Sequence, residues 1–224
     1  DIGMNEWLTA PFAWDDNREL DRGKVMTYED LEAGRDFGRY LDVDGDGIPY
    51  RTYPGTHPSK GGYFTRGTSR NPYARYSEEG AVYVDNMQRL LRKFETAKAL
   101  IPAPIRRDAK GKTGQGVIYF GSTTPAMHEA LEMLEGQGRR LDAMRVRGFP
   151  FCDDVYDFVA AHDRVFVVEQ NRDAQFRTLL VNEGEIDPGK LVPVLNYDGA
   201  PITARFIAGQ IGQLMALGQI EAAE

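Results

Sequence analysis

Val165 to Glu169 reads VFVVE, and its first four residues are all apolar. A strand with one wet face alternates apolar and polar side chains, so an unbroken run of this kind predicts a strand covered on both sides, as at the centre of a parallel sheet. Hydrophobic runs and helical periods alternate on either side of it: GVIYFGS (116–122), TPAMHEALEMLEGQG (124–138), LDAMRVRG (141–148), CDDVYDFVAAH (152–162), DAQFRTLLV (173–181), KLVPVLNY (190–197) and PITARFIAGQIGQLMALG (201–218). That order predicts an α/β fold over residues 114–219: an open, mainly parallel sheet with helices on both faces. Thr124 followed by Pro125 marks a helix start, Met127, Ala130, Leu131 and Leu134 fall on one face of it, and Gly136 or Gly138 ends it. Pro201 opens the last helix, with Ile207, Ile211, Leu214 and Met215 aligned.

Upstream, Pro102 and Pro104 break a helical pattern, and residues 1–101 read as a loop-rich extension. Thr27 to Asp30, TYED, has the form of a capping box with Asp in place of the usual Glu or Gln. Residues 40–77, rich in Gly, Pro, Tyr and Arg, carry no period and predict a long ordered loop. Tyr83, Met87, Leu90, Leu91, Phe94 and Ala97 then mark an amphipathic helix, whose apolar stripe reads as a face for packing on the following domain.

Composition narrows the function. A net charge of -7 argues against a nucleic-acid surface. No apolar stretch approaches the roughly 18 residues of a membrane span. Cys152 is the single cysteine, so the chain forms no internal disulfide and by itself holds no iron-sulfur cluster; a reducing cytoplasm is expected. The chain begins without methionine, as expected of a domain or fragment with part of its function upstream.

The stretch LDVDGDGIPY (41–50) carries two overlapping motifs. As a calcium loop it places Asp42, Asp44 and Asp46 at positions 1, 3 and 5 and Gly47 at position 6, but Pro49 stands at position 8 and Tyr53 where a bidentate Glu closes the shell. As a thiamine-diphosphate motif, Gly45-Asp46-Gly47 precedes Asn71 at a suitable distance, yet Pro49, Pro54 and Pro58 deny the intervening segment a helix N-terminus for the diphosphate. An acidic, glycine-rich turn is the plainer reading.

Arg51, His57 and Arg66 lie in the long loop as cations for a substrate carboxylate or for phosphates, against the alternative that they tie the loop to its own backbone or to a neighbouring subunit. Tyr50, Tyr53, Tyr63 and Tyr73 read as interface anchors. Glu169, Asn171 and Gln175 follow VFVV at the strand's carboxyl end, where open α/β sheets place ligands, against the alternative of a structural or interfacial role. The turn Gly121-Ser122-Thr123-Thr124 lies at the same edge but matches no nucleotide motif. His57, His128 and His162 are too scattered for a zinc cluster, and Cys152 reads as a small buried residue.

DIGMN (1–5), DGDGIPYRTYPGTHP (44–58) with YFTRG (63–67), and VFVVEQNRDAQ (165–175) together resemble the alpha subunit of 2-oxoacid:ferredoxin oxidoreductases of the 2-oxoglutarate type. The resemblance implies that residues 1–101 comprise the end of a pyrimidine-binding domain, a connector and a helix, and that 114–219 is a transketolase C-terminal-like domain. It implies oxidative decarboxylation of a 2-oxoacid with coenzyme A to an acyl-CoA, succinyl-CoA from 2-oxoglutarate, with electrons passing to ferredoxin. Thiamine diphosphate, Mg and a [4Fe-4S] cluster are then held mainly by a partner beta subunit, none is expected on this chain, no catalytic or metal-ligating residue is expected here, and this portion is expected to be inactive alone. The other class of function that the sequence supports is a non-catalytic α/β interaction or assembly module.

Overall fold

The computed structural model describes residues 10–67 and 69–221, the side chains of 218–221 excepted. DIGMN lies outside the described residues. The chain divides into two compact units, one spanning Phe12–Leu100 and one running from Ile101 onward.

The second unit is a five-stranded sheet in the order β1-β3-β2-β4-β5, where β1 is Ile105–Arg107, β2 Gln115–Phe120, β3 Asp142–Val146, β4 Arg164–Glu169 and β5 Leu191–Leu195. Four strands are parallel, and β1 alone runs antiparallel, Ile105 facing Arg145. The helices α3 (Thr124–Gly136), α4 (Asp153–Ala160), α5 (Gln175–Gly184) and α6 (Ala204–Glu221) cover both faces. The quoted stretch sits between β2 and β5 and is buried on each side. Phe166 and Val168 join Val117 and Tyr119 beneath α3 and α6, while Val165 and Val167 join Ile118 and Met144 beneath α4 and α5. Each such side chain contributes about 1.5–3 kcal/mol on leaving water. An α/β sheet with helices on both faces is therefore what the alternating runs build.

Residues 102–113, which fall between the two domain ranges expected from sequence, contain β1. Its residues Ile105, Arg106 and Arg107 are exposed, and a charged edge of this kind discourages pairing with a foreign strand. At the opposite edge Pro193 lies within β5, where a missing amide costs the ladder least.

Thr124 is not the cap of α3. Residues 121–123 wind as a 3-10 turn directly into the helix, so the Thr124 hydroxyl donates to the Gly121 carbonyl at 2.7 Å and has no amide to accept. The far end is decided by Gly138, whose φ of +76° allows the Gly138 and Arg139 amides to reach back to the Glu135 and Leu134 carbonyls.

The first unit holds two helices, α1 (Tyr28–Glu32) and α2 (Gly80–Lys98), joined by irregular chain. The capping box of α1 forms with Asp30 as its acid: Thr27 Oγ1 accepts from the Asp30 amide, and the Asp30 carboxylate accepts from the Thr27 amide at 2.9 Å. In α2 the apolar stripe is real but exposed at Tyr83, Met87, Leu91 and Phe94, and the buried residue is Arg89. The helix meets its own loop through a polar stripe one side round. Arg89 donates to the Gly47 carbonyl, Thr96 to the Asp46 carbonyl and Asn86 to the Arg70 carbonyl.

Candidate functional site

Three groups of residues singled out from the sequence lie in these two units. The first is the carboxyl edge of the sheet. The chain leaves β2 towards β3 on one side and returns from β3 to β4 on the other, so the strand order reverses between β2 and β4, where open sheets of this kind bind ligands. Here that crevice is bridged by Gln170. Its Nε2 donates to the Ser122 and Thr123 hydroxyls at 3.2 and 3.3 Å, and its Oε1 accepts from the Ile202 amide at 3.3 Å.

Glu169 is fully buried, and its carboxylate stands at the amino end of α5. It accepts from the Phe176 and Arg177 amides at 2.8 and 3.1 Å and from Asn171 Nδ2 at 2.6 Å. Asn171 Oδ1 takes the amides of Asp173 and Gln175 at 3.2 and 3.1 Å. The orphan amides of the first turn are thus satisfied by an internal anion that also complements the helix dipole. Ala174 is held at φ +49° to make the turn. Glu169 and Asn171 are brought together, with Gln175 exposed at the first helical position beside them.

A 470 Å³ cavity lies at the same edge, beyond β2 and β3, lined by Phe120, Gly121, Arg145, Arg147, Phe149 and Phe151 among others. Glu169, Asn171 and Gln175 are not among its lining residues. The aromatic pair of Phe149-Pro150-Phe151, three residues beyond the end of β3, is the mark this cavity leaves in the sequence.

The second group is the acidic loop. Lys24 places its ammonium 2.7 Å from Asp44 and 2.6 Å from Asp46, filling the position a cation would take between them. Asp42 accepts from the Gly47 amide at 3.0 Å and pairs with Arg92 at 3.3 Å. Among the described residues no cluster of three or more His, Cys, Asp or Glu side chains could hold a metal ion. Burial works against the Lys24 charge, but the hydrogen bonds with Asp44 and Asp46 outweigh it and hold its pKa above the ordinary lysine value. Asp46 is held below the usual carboxylate range by Lys24 first and by the Ile48 amide second. The glycine spacing that resembled a cofactor motif has a local cause: a Cβ on Gly47 would stand 2.3 Å from the Lys93 backbone nitrogen, so the loop can lie against α2 only with glycine there. Lys24, twenty residues upstream, was invisible as the partner of this loop from spacing alone.

The third group surrounds Tyr53 and His57. Thr52, Tyr53, Pro54, Gly55, His57, Lys60, Gly61, Gly62 and Tyr63 enclose an open cavity of 390 Å³. The His57 side chain is almost wholly buried. Its Nδ1 accepts the Ser59 and Lys60 amides at 3.1 and 2.9 Å, which leaves the proton on Nε2 to be donated to Glu32 at 2.7 Å, and the ring stacks on Tyr28. Lys60 reaches the same Glu32 oxygen at 2.8 Å. Those two hydrogen bonds, Lys60's being the larger influence, hold the Glu32 carboxyl below its usual range. Arg51 donates to the Arg22 carbonyl at 2.6 Å and lies over the ring of Tyr53, which is itself one of the lining residues. Arg66 is exposed, and among the described residues its side chain makes no hydrogen bond or ion pair. The structure therefore places His57 in the lining of one cavity, with Arg51 touching it only through Tyr53, and leaves both Arg51 and Arg66 outside the lining.

What these arrangements offer is binding and positioning. The histidine and the carboxylates at each place are engaged by the chain's own amides and cations, and Cys152, partly buried at the start of α4, has no second thiol to share a metal with.

No family model matches the chain. It is 28% identical over 204 residues to the alpha subunit of 2-oxoacid:ferredoxin oxidoreductase 2 of Aeropyrum pernix, an alignment that takes in 89% of this chain and 30% of that protein. Among solved structures it is similar to a 2-oxoglutarate:ferredoxin oxidoreductase from Magnetococcus marinus described with 2-oxoglutarate, coenzyme A and succinyl-CoA bound, with a TM-score of 0.68 and 22% identity over 80% of this chain and 31% of that one. The resemblance carried by the three sequence stretches thus extends over most of the chain, while the chain spans about three-tenths of the length of the relative it matches.

Proposed function

We propose that this chain is the C-terminal portion of the alpha subunit of a thiamine-diphosphate-dependent 2-oxoglutarate:ferredoxin oxidoreductase, which converts a 2-oxoacid and coenzyme A to an acyl-CoA, carbon dioxide and reduced ferredoxin. The observation that carries this reading is the similarity to an oxidoreductase alpha subunit across 89% of the chain. The likeness of fold to the Magnetococcus marinus enzyme is consistent with it.

The residues present do not fit the cofactors of such an enzyme. The Gly45-Asp46-Gly47 loop is committed to Lys24 and to α2, and one cysteine cannot ligate a [4Fe-4S] cluster. Thiamine diphosphate, Mg and the cluster therefore belong, in this proposal, to a partner beta subunit. The portion described is inactive alone and contributes a wall and a mating surface. Within that role, Arg51, His57 and Arg66 stand at the substrate mouth or at a subunit contact, and Glu169, Asn171 and Gln175 set the turn that begins α5.

A second reading, an assembly module without catalytic duty, is favoured by the internal engagement of Glu169, Asn171 and His57. One experiment separates the two. The chain, within its natural full-length polypeptide, is purified with whatever subunit accompanies it and assayed for coenzyme A-dependent reduction of a low-potential dye, with 2-oxoglutarate and pyruvate in parallel. Faster turnover with 2-oxoglutarate and a co-purifying iron-sulfur subunit is the expected result; a complex that forms but reduces no dye with either acid supports the assembly module.

A further inference from the structure

The first unit contains a basic cluster that its own carboxylates leave unbalanced. The ring of Tyr40 has the guanidinium of Arg70 at 5.2 Å, of Arg39 at 5.6 Å and of Arg89 at 5.7 Å from its centre. Asp42 is the carboxylate that acts on Arg89, and it is already paired with Arg92. Among the described residues Arg39, Arg70 and Arg89 form no ion pair. Arg89 is only 7% exposed. A buried guanidinium beside like charges is unfavourable unless an anion compensates it.

The hydrogen-bond inventory points the same way. Arg89 Nη1 donates to the Gly47 carbonyl at 3.1 Å, and Arg70 donates to the Tyr40 hydroxyl and the Gly67 carbonyl at 3.1 and 2.9 Å. The Nε of both arginines and the hydroxyl of Ser69, itself 7% exposed, are shielded from bulk water and have no partner among the described residues. In a well-packed protein nearly all such groups are satisfied, so three in one place need an explanation. Arg70, Arg89 and Ser69 line a single open pocket of 240 Å³, with Tyr40, Met87 and Leu90 as its apolar wall.

We propose that this pocket binds the dianionic phosphate of a phosphomonoester, held between Arg70 and Arg89 with the Ser69 hydroxyl, while the esterified group lies against Tyr40, Met87 and Leu90. Arg39 and Arg70 have no ion-pair partner among the described residues and Arg89 shares Asp42 with Arg92, an excess of positive charge that suits a dianion better than a single carboxylate. Guanidinium forks match phosphate oxygens in geometry as well as charge. The pocket volume admits a phosphate with a small ring or chain attached and excludes a folded protein element. The assignment rests on the pocket's own residues and does not depend on the oxidoreductase reading.

Calorimetric titration of the full chain with inorganic phosphate and with phenyl phosphate, at fixed ionic strength in chloride, tests it. Saturable binding of both is expected, phenyl phosphate the tighter, with the affinity falling at least tenfold in Arg70→Gln and in Arg89→Lys. Arg70 is only partly buried, so Arg70→Gln carries the test should Arg89→Lys fail to fold. The absence of saturable heat from either ligand overturns the proposal, as does a folded Arg70→Gln chain that binds phosphate like the parent. Acetate binding as tightly as phosphate overturns the dianion assignment and gives the pocket to a carboxylate.

Discussion

The carboxylate of Glu169 holds the backbone amide of Phe176 at 2.8 Å, and through it the last residue of the central strand becomes the cap of the next helix. In Glu169→Gln the side chain keeps its shape but loses its charge and one acceptor oxygen, so the Phe176 and Arg177 amides compete for what remains. A loss of about 2–4 kcal/mol of unfolding free energy is expected, given that a charged hydrogen bond contributes about 1.5–3 kcal/mol and a stranded buried group adds to the cost. Urea unfolding followed by circular dichroism measures it, and a change below about 0.5 kcal/mol would remove Glu169 from this structural role. Gln175→Ala, at an exposed side chain of the same turn, is expected to stay within about 0.5 kcal/mol.

Gly45 and Gly47 have nearly the same backbone, φ +76° and +77°, but different surroundings. A methyl on Gly45 meets nothing within 4 Å, whereas one on Gly47 collides with the backbone of α2. Gly45→Ala is expected to cost about 1 kcal/mol, from the left-handed conformation alone. Gly47→Ala should cost several times more and open the first unit to limited proteolysis. Equal melting temperatures for the two variants would contradict the close approach of loop and helix.

The pairing of Lys24 with Asp46 carries a pH signature at both ends. Asp46 has a depressed folded pKa, so its contribution is fully present above the unfolded aspartate value of 3.8 and is lost as pH falls through the lower folded value. Lys24 has a raised folded pKa, so its contribution is fully present below the unfolded lysine value of 10.5 and is lost as pH rises through the higher folded value. The side chains are 22% and 31% exposed, which limits the pair to about 1 kcal/mol or less. Melting curves of the parent and of Lys24→Met should differ in the neutral range and converge at strongly acid pH. The parent, with an ammonium already between its carboxylates, should show no calcium-dependent shift in melting at millimolar levels.

Arg66 and Arg51 separate function from stability. Arg66→Ala removes a side chain with no hydrogen bond among the described residues, so folding should change by less than about 0.5 kcal/mol, and an altered KM or turnover in the assembled enzyme would place the residue at a binding surface. Arg51→Ala also frees the Arg22 carbonyl and uncovers Tyr53. Its kinetics are interpretable only beside its melting temperature.

The parallel sheet was legible because VFVVE has no wet face and because each neighbouring run is bounded by a turn or a cap. The antiparallel strand was not, since Ile105-Arg106-Arg107 is exposed and has no alternating pattern to betray it. In α2 the helix was legible and its buried face was not: the apolar stripe is exposed, and the inward residues are Arg89, Asn86 and Thr96, whose partners are backbone carbonyls of a loop with no period of its own. At the sheet edge Glu169 and Asn171 were found by position, but Gln170 between them, which spans the crevice, was passed over. Long-range partners such as Lys24 for the acidic loop leave no trace in local spacing.

The pairing of β1 with β3 also orders events in time. Within this sheet Ile105–Arg107 is the first strand in sequence, yet it pairs only with β3, so it must wait until Arg145 has been synthesised and β3 has docked beside β2. The sheet's first strand is thus placed only after its first crossover is complete, and the exposed Arg106 and Arg107 suit it to water until then.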